Sequence, residues 1–212
     1  MEQGRLAELK GFGAKTEENI RRGIERMNQS TGRVLVSVAM DLADYFLERL
    51  GGRKDVRRME YAGSLRRMAE TIGDLDLLVA SDDPIGVIDA FTSVGMTDRV
   101  LAKGDTKSSI LTRKGLQVDL RVVPLEAWGA AMIYFTGSKP HNIRIREMAV
   151  RKGLKLNEYG LYRAKSGKLI VAETEEEVYE KLSLPWIPPT LREDRGEIEA
   201  ALEGTLPDVL TR

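Results

Sequence analysis

The sequence predicts an α+β fold, with a helical N-terminal subdomain, a mixed sheet with helices, and a small α+β unit at the end. Three observations carry this expectation. Residues 33–50, "RVLVSVAMDLADYFLERL", repeat apolar residues at helical spacing. Residues 74–80 and 116–123 are short apolar runs of strand length bounded by turn residues. The chain has 212 residues, 42% of them hydrophobic, which is enough for one large domain or two small ones around a packed core.

In order along the chain, residues 2–9 and 17–27 read as helices joined by "GFGAKT", and 33–50 as a longer helix. After the loop "GGRKDVRR" comes a strand near 58–62, a short helix, and a strand at 74–80. "SDDPIGVIDAFTSVG" opens with the helix-start residues Ser81, Asp82 and Asp83 ahead of Pro84. Strands near 97–102, 107–113 and 116–123 follow, with "RKG" turning between the last two. Residues 126–133 and the basic stretch 140–152 read as helices. "YGLYRAKSGKLIVA" reads as a hairpin turning at Ser-Gly, and "TEEEVYEKL" as a capped acidic helix. These segments group into subdomains 1–58, 59–136 and 137–188, with 189–212 as an acidic linker.

Composition narrows the function. No apolar run approaches the roughly 20 residues of a membrane span, and no signal-peptide pattern is present. Zero cysteines exclude disulfides and thiolate metal sites and fit a cytoplasmic protein. One histidine, His141, leaves little for zinc or a His-based triad, so a metal site has to be built from oxygen and favours Mg²⁺ or Mn²⁺. The net charge of zero hides an asymmetry. Residues 1–170 carry 29 Lys+Arg against 22 Asp+Glu, and residues 171–212 carry 4 against 11. The basic body suits a polyanion, although charge alone fits an ordinary solvated surface equally well.

The stretch "YAGSLRRMAETIGDLDLLVA" is the informative one. In a strand, residues two apart share a face, so Asp74 and Asp76 project together while Leu75, Leu77 and Val79 cover the other side. Two adjacent carboxylates repel unless a cation lies between them. Alone, the pair reads as two solvent-facing aspartates on an edge strand. Upstream, Ser64 is suited to cap a helix whose N-terminus offers N–H groups to an anion. Arg66 and Arg67 add charge there, and Gly73 permits close backbone approach. "LQVDLRVVP" supplies a third carboxylate, Asp119, with Arg121 on the same face. Asp74, Asp76 and Asp119 thus form a candidate two-metal set beside a phosphate cradle.

"GSLRR…TIGDLD", "VDLRVVP", "YFTGS" and "GLKLNEYGLY" together resemble the polymerase region of family X DNA polymerases, over nearly the whole chain. The resemblance implies a nucleotidyltransferase palm at 59–136 and a thumb-like subdomain at 137–188. It implies that Asp74 and Asp76 bind two Mg²⁺ ions and Asp119 the catalytic one, with Mn²⁺ as the alternative metal. Gly63, Ser64, Arg67 and Gly73 would hold the incoming triphosphate. Arg33, thirty residues before Gly63, stands at the spacing of another phosphate-binding arginine. Tyr134, Phe135 and Gly137 would form the sugar pocket. Asn142 would contact the incoming nucleotide and Arg146 the template. Arg121, Glu158 and Tyr159 resemble a switch acting on Asp76. "LAELKGFGAKTEENI" resembles a helix-hairpin-helix in which Gly11, Gly13 and Lys15 meet a DNA phosphate, often with a monovalent cation.

Three departures stand out. Met68 occupies a position that is often glycine in the family, and Lys139 one that is acidic in the polymerase β branch. The resemblance also implies an N-terminal lyase domain, for which no counterpart is expected in these 212 residues, and a C-terminal histidinol-phosphatase-like domain, which a single histidine leaves them unable to supply. The expected function is template-directed addition of deoxynucleotides to primer–template or gapped DNA in repair, by a monomer without membrane association. A template-independent nucleotidyltransferase and a DNA-binding fragment inactive without its missing domains remain as alternatives.

Overall fold

The computed structural model describes residues 32–209, and two compact units divide the chain, Met1–Arg33 and Val34–Arg212. The helices expected at 2–9 and 17–27, with Gly11, Gly13 and Lys15, lie outside the described residues. The second unit opens with β1 (Val34–Leu35), which pairs antiparallel with β3 (Thr71–Ile72). That pairing takes the first residues of the expected 33–50 helix, so α1 runs Val36–Gly51. Ala39, Leu42, Ala43, Phe46 and Leu50 form its single buried face, as the 3.6 period requires.

β2 (Val56–Tyr61), α2 (Gly63–Arg66), β4 (Asp74–Ser81), α3 (Pro84–Thr92), β5 (Thr97–Lys103), β6 (Lys107–Thr112) and β7 (Gln117–Val123) follow. Five of them form a mixed sheet in the order β2-β4-β7-β6-β5, in which only β4 and β7 are parallel. α3 starts where the sequence signals it, with Asp83 Oδ1 accepting from Gly86 N at 3.0 Å and Pro84 at N1. One face of the sheet packs Leu75, Leu77, Val79, Val118 and Leu120 against α1 and α3. On the other face, Leu78, Ala80 and Val123 pack against Trp128, Ala131 and Met132 of α4 (Trp128–Thr136). Asp74 and Asp76 begin β4 on that second face, short of the part that α4 covers.

α5 (Lys139–Arg151), β8 (Leu154–Asn157), β9 (Gly160–Arg163), β10 (Leu169–Val171) and α6 (Glu175–Lys181) surround a second core. Thr174 Oγ1 caps α6 by accepting from Glu177 N, as the sequence signals. β8 is an additional strand and makes the expected hairpin a three-stranded sheet, β10-β9-β8. Residues 189–212, expected as a linker, contribute α7 (Glu197–Glu203), whose Ile198 and Ala201 belong to the second core. His141 fastens this segment to α5: its Nδ1 lies 2.6 Å from Glu197 Oε1 and its Nε2 2.8 Å from Tyr179 Oη. Burial holds the imidazole below its ordinary pKa, with Glu197 opposing the shift. His141 is a buried structural histidine.

Candidate active site

Asp76 stands next to Asp119 because β4 and β7 are parallel neighbours in that register, and Asp74 stands next to Gln117. Asp74 is exposed at the strand mouth, while Asp76 and Asp119 are half-buried. Burial, then the Asp74 and Asp119 carboxylates, push the Asp76 pKa up to about 7, against the pull of Lys107 and Arg67. Asp119 is held in place, its Oδ1 accepting from Gln117 Nε2 at 2.9 Å. Among the described residues no three His, Asp or Glu side chains converge as a ready ligand set. Asp76 leans on Gly63 and Asp119 on Gln117. The donor chemistry nevertheless suits a divalent cation. The groups are all carboxylate and lie on adjacent strands, and the Asp74 and Asp119 charges add to burial in raising the Asp76 pKa.

Gly63 has φ +57° and lies so close to Asp76 that an added Cβ would stand 2.0 Å from its Oδ2. This backbone position therefore excludes any side chain. Ser64 was expected to cap the helix, but it lies inside the first turn of α2. The N-cap is Ala62, which makes no side-chain bond, because the positive-φ Gly63 already belongs to the turn. The four-residue helix leaves only a short row of free N–H groups. Gly73 is the single residue between β3 and β4.

The two adjacent arginines have different surroundings. Arg66 is consumed, donating through Nη1 and Nη2 to Glu175 at 2.8 Å each and through Nη1 to Thr136 Oγ1 at 2.8 Å. Arg67 lines an open cleft of about 470 Å³ with Gly63, Ser64, Asp74 and Asp76. Its Nε donates to Glu193 Oε1 at 2.7 Å and its Nη1 to Thr136 O at 2.6 Å.

The far wall of the cleft comes from α4, α5 and the loop between them. Tyr134 and Phe135 stack edge-on at 5.1 Å at the end of α4, and Gly137 follows with φ +72° and a cis peptide to Ser138. Ser138 Oγ caps α5, which sets Lys139, Asn142 and Arg146 on the cleft. Asn142 Nδ2 donates to Tyr134 O at 2.7 Å, while its buried Oδ1 has no partner. Arg146 Nε donates to Asn142 O at 3.1 Å.

Arg121 lies two residues past Asp119 on β7, its guanidinium 5.4 Å above the Phe135 ring and its Nε buried without a partner. Glu158 and Tyr159 sit in the β8–β9 turn, and among the described residues no hydrogen bond or ion pair joins them to Arg121 or Asp76. Arg33 is exposed, immediately before β1. Sequence reasoning missed Gln117, Lys107, Thr136, Glu175 and Glu193. Gln117 was accessible through the same two-residue rule that paired Asp119 with Arg121. The two glutamates come from distant segments and carry no local signal.

Comparison with known proteins bears on the family and the fold. The DNA polymerase beta thumb family model matches residues 131–193. The DNA polymerase/3′-5′ exonuclease PolX of Bacillus subtilis is 34% identical over 200 residues, covering 93% of this chain. The chain carries a family X polymerase core. It spans 35% of the length of the Bacillus protein. This family X core is also 27% identical to DNA polymerase lambda of Rattus norvegicus over 62% of the chain and 28% of that protein. It is 29% identical to repair DNA polymerase X of African swine fever virus over 61% of the chain and 78% of that protein. The fold matches Leishmania infantum polymerase beta in a ternary gap complex with a TM-score of 0.71 at 21% identity, over 82% of this chain and 74% of that one.

Proposed function

We propose that this family X core is a template-directed DNA polymerase that adds a deoxynucleotide to a primer 3′-OH, filling gaps in DNA repair. The observation that carries the reading is the Asp76–Asp119 register on parallel strands, with Asp74 beside it. Asp74 and Asp76 line a cleft walled by Gly63 and Arg67 on one side and by Tyr134, Asn142 and Arg146 on the other, while Asp119 lines an adjoining pocket that it shares with Asp76, Lys107 and Arg121.

Asp74, Asp76 and Asp119 would hold two divalent ions, Mg²⁺ or Mn²⁺, which when bound neutralise triphosphate charge and acidify the 3′-OH. Asp119, fixed by Gln117, is placed to receive the 3′-OH proton. The bond from the 3′-oxygen to the α-phosphorus forms as the α–β bridge breaks, and pyrophosphate leaves. Arg67 faces the phosphates. The Tyr134–Gly137 turn crowds the sugar, and Asn142 and Arg146 reach the nascent base pair. The basic residues near Gly11, Gly13 and Lys15 would hold DNA backbone, and the zero cysteines support a cytoplasmic location.

The test is primer extension on one-nucleotide-gapped and open-template DNA, with each dNTP supplied singly. The wild type should add only the complementary nucleotide. Asp119→Ala should lose about 10²–10⁴-fold in rate while retaining DNA binding by mobility shift. Full activity in that variant removes Asp119 from the mechanism, and indiscriminate addition by the wild type points to a template-independent transferase.

A further inference from the structure

Arg67 lines the cleft beside Asp74 and Asp76, yet part of its guanidinium is already engaged. Nε donates to Glu193 and Nη1 to Thr136 O. A guanidinium has five N–H groups, so these two bonds fix its plane and leave Nη2 without a hydrogen-bond partner among the described residues, on a residue that lines the cleft. Arg66 shows the alternative fate, with both Nη atoms on Glu175 and the residue absent from the cleft wall. Two carboxylates from the acidic C-terminal segment thus reach the same two-arginine run, one sealing its partner and the other holding it half-open.

Glu193 is presented from a rigid arm. The neighbouring Arg192 is fully buried, donating to Glu175 at 2.7 Å and to Ile187 O at 2.8 Å, while its own carbonyl accepts from Ser138 N at 2.9 Å. On the other side, Asp194 N donates to Glu197 Oε1 at 2.9 Å. Glu193 itself is not among the residues that line the cleft.

We propose that Glu193 is the positioning residue for Arg67, holding its guanidinium so that the free edge meets the phosphates of an incoming nucleotide. This rests on reading the cleft as a nucleotide site. Two effects of Glu193 oppose each other. Its charge weakens the positive field that a polyphosphate meets, and its hydrogen bond removes rotamer freedom that an unheld arginine would have to lose on binding. At 15% exposure for the Arg67 side chain and 34% for that of Glu193, screening trims the charge effect without removing it, and Glu193→Gln, which drops the charge and keeps the acceptor, measures what is left. Orientation survives screening and therefore wins.

The experiment uses the full chain in Mg²⁺ buffer and measures binding of inorganic triphosphate by calorimetry, KM and kcat for gap filling, and melting temperature. Glu193→Ala should weaken triphosphate binding and raise KM about tenfold with kcat within about twofold. Glu193→Gln, whose amide oxygen still accepts from Nε, should stay within about twofold of wild type on both. Glu193→Asp withdraws the acceptor by one methylene and keeps the charge. It should lose about threefold in binding without a drop in melting temperature, which keeps the test independent of folding. Unchanged or tighter binding in the Ala or Asp variant overturns the proposal. So does a fall in kcat at constant KM that follows the melting temperature. Arg67→Ala serves as the control. If the wild type binds no triphosphate, the nucleotide-site reading itself fails. If the wild type binds and Arg67→Ala does not, indifference to Glu193 sinks only this inference.

Discussion

Gly63 opens α2 and Met68 lies two residues past its end, with φ +57° at both, but only one of them lacks a side chain. Gly63 has no choice, since any Cβ would run into Asp76 Oδ2. Met68 is 51% exposed and bears the left-handed conformation without a contact that demands methionine. That conformation costs an L-residue roughly 1–2 kcal/mol, of which a glycine gives back part through its freer unfolded state. Met68→Gly should therefore stabilise the chain by about 0.5–1 kcal/mol in urea unfolding. A loss of stability would mean that the methionine side chain contributes more than its exposure suggests. At this scale the sequence was legible wherever a period applied. Asp74 with Asp76, and Asp119 with Arg121, follow from the two-residue repeat of a strand, whereas nothing local separates Arg66, sealed by Glu175, from Arg67, which lines the cleft.

The N-terminal turn of α6 is where the sheet-bearing part and the second core are joined. Glu175 accepts from Arg66 of α2, from Arg192, and from Trp186 Nε1 at 3.2 Å, with Tyr179 packed under Arg192. Burial alone would raise the Glu175 pKa, but Arg192 and Arg66 outweigh it and bring the carboxyl down to about 2. A depressed carboxyl stabilises the fold fully above its unfolded pKa, near 4.5, and progressively less as pH falls toward 2. The contribution at stake is on the order of 3 kcal/mol. Unfolding free energy should fall across that window in the wild type and much less steeply in Glu175→Gln, as read by urea melts at pH 5, 4 and 3. Equal slopes would mean that the ion cluster does not govern acid stability. Elements with a long period or a cap, such as α1, α3 and α6, were legible in the sequence. β1 was not, because two residues make a strand only when Thr71–Ile72 arrive to pair with them. β8, "LKLN", was hidden by its shortness and its charged Lys155.

At the scale of the whole molecule, the charge asymmetry has a structural outlet. The acidic end of the chain reads as solvated linker by composition, yet it supplies partners to basic residues elsewhere. Glu193 meets Arg67, Glu197 meets His141, and Glu199 and Asp194 meet Arg144. Arg192 is the extreme case, 0% exposed, with Tyr179 at 5.1 Å and Trp186 at 5.8 Å against its guanidinium. Mean composition could not show this, because Ile198 and Ala201 are two apolar residues in a polar run, and their burial depends on His141 drawing α7 onto α5. Ending the chain after Pro188 would strip Ile198 and Ala201 from the second core, take Arg192 from Glu175, and unpin His141. The combined loss is on the order of 5 kcal/mol, comparable to the whole stability of many domains. The shortened chain should unfold at a much lower urea concentration, with Trp186 fluorescence already shifted in buffer. A linker in the physical sense would leave the midpoint where it was, so an unchanged melt would return residues 189–212 to that role and cut the connection through which Glu193 reaches the cleft.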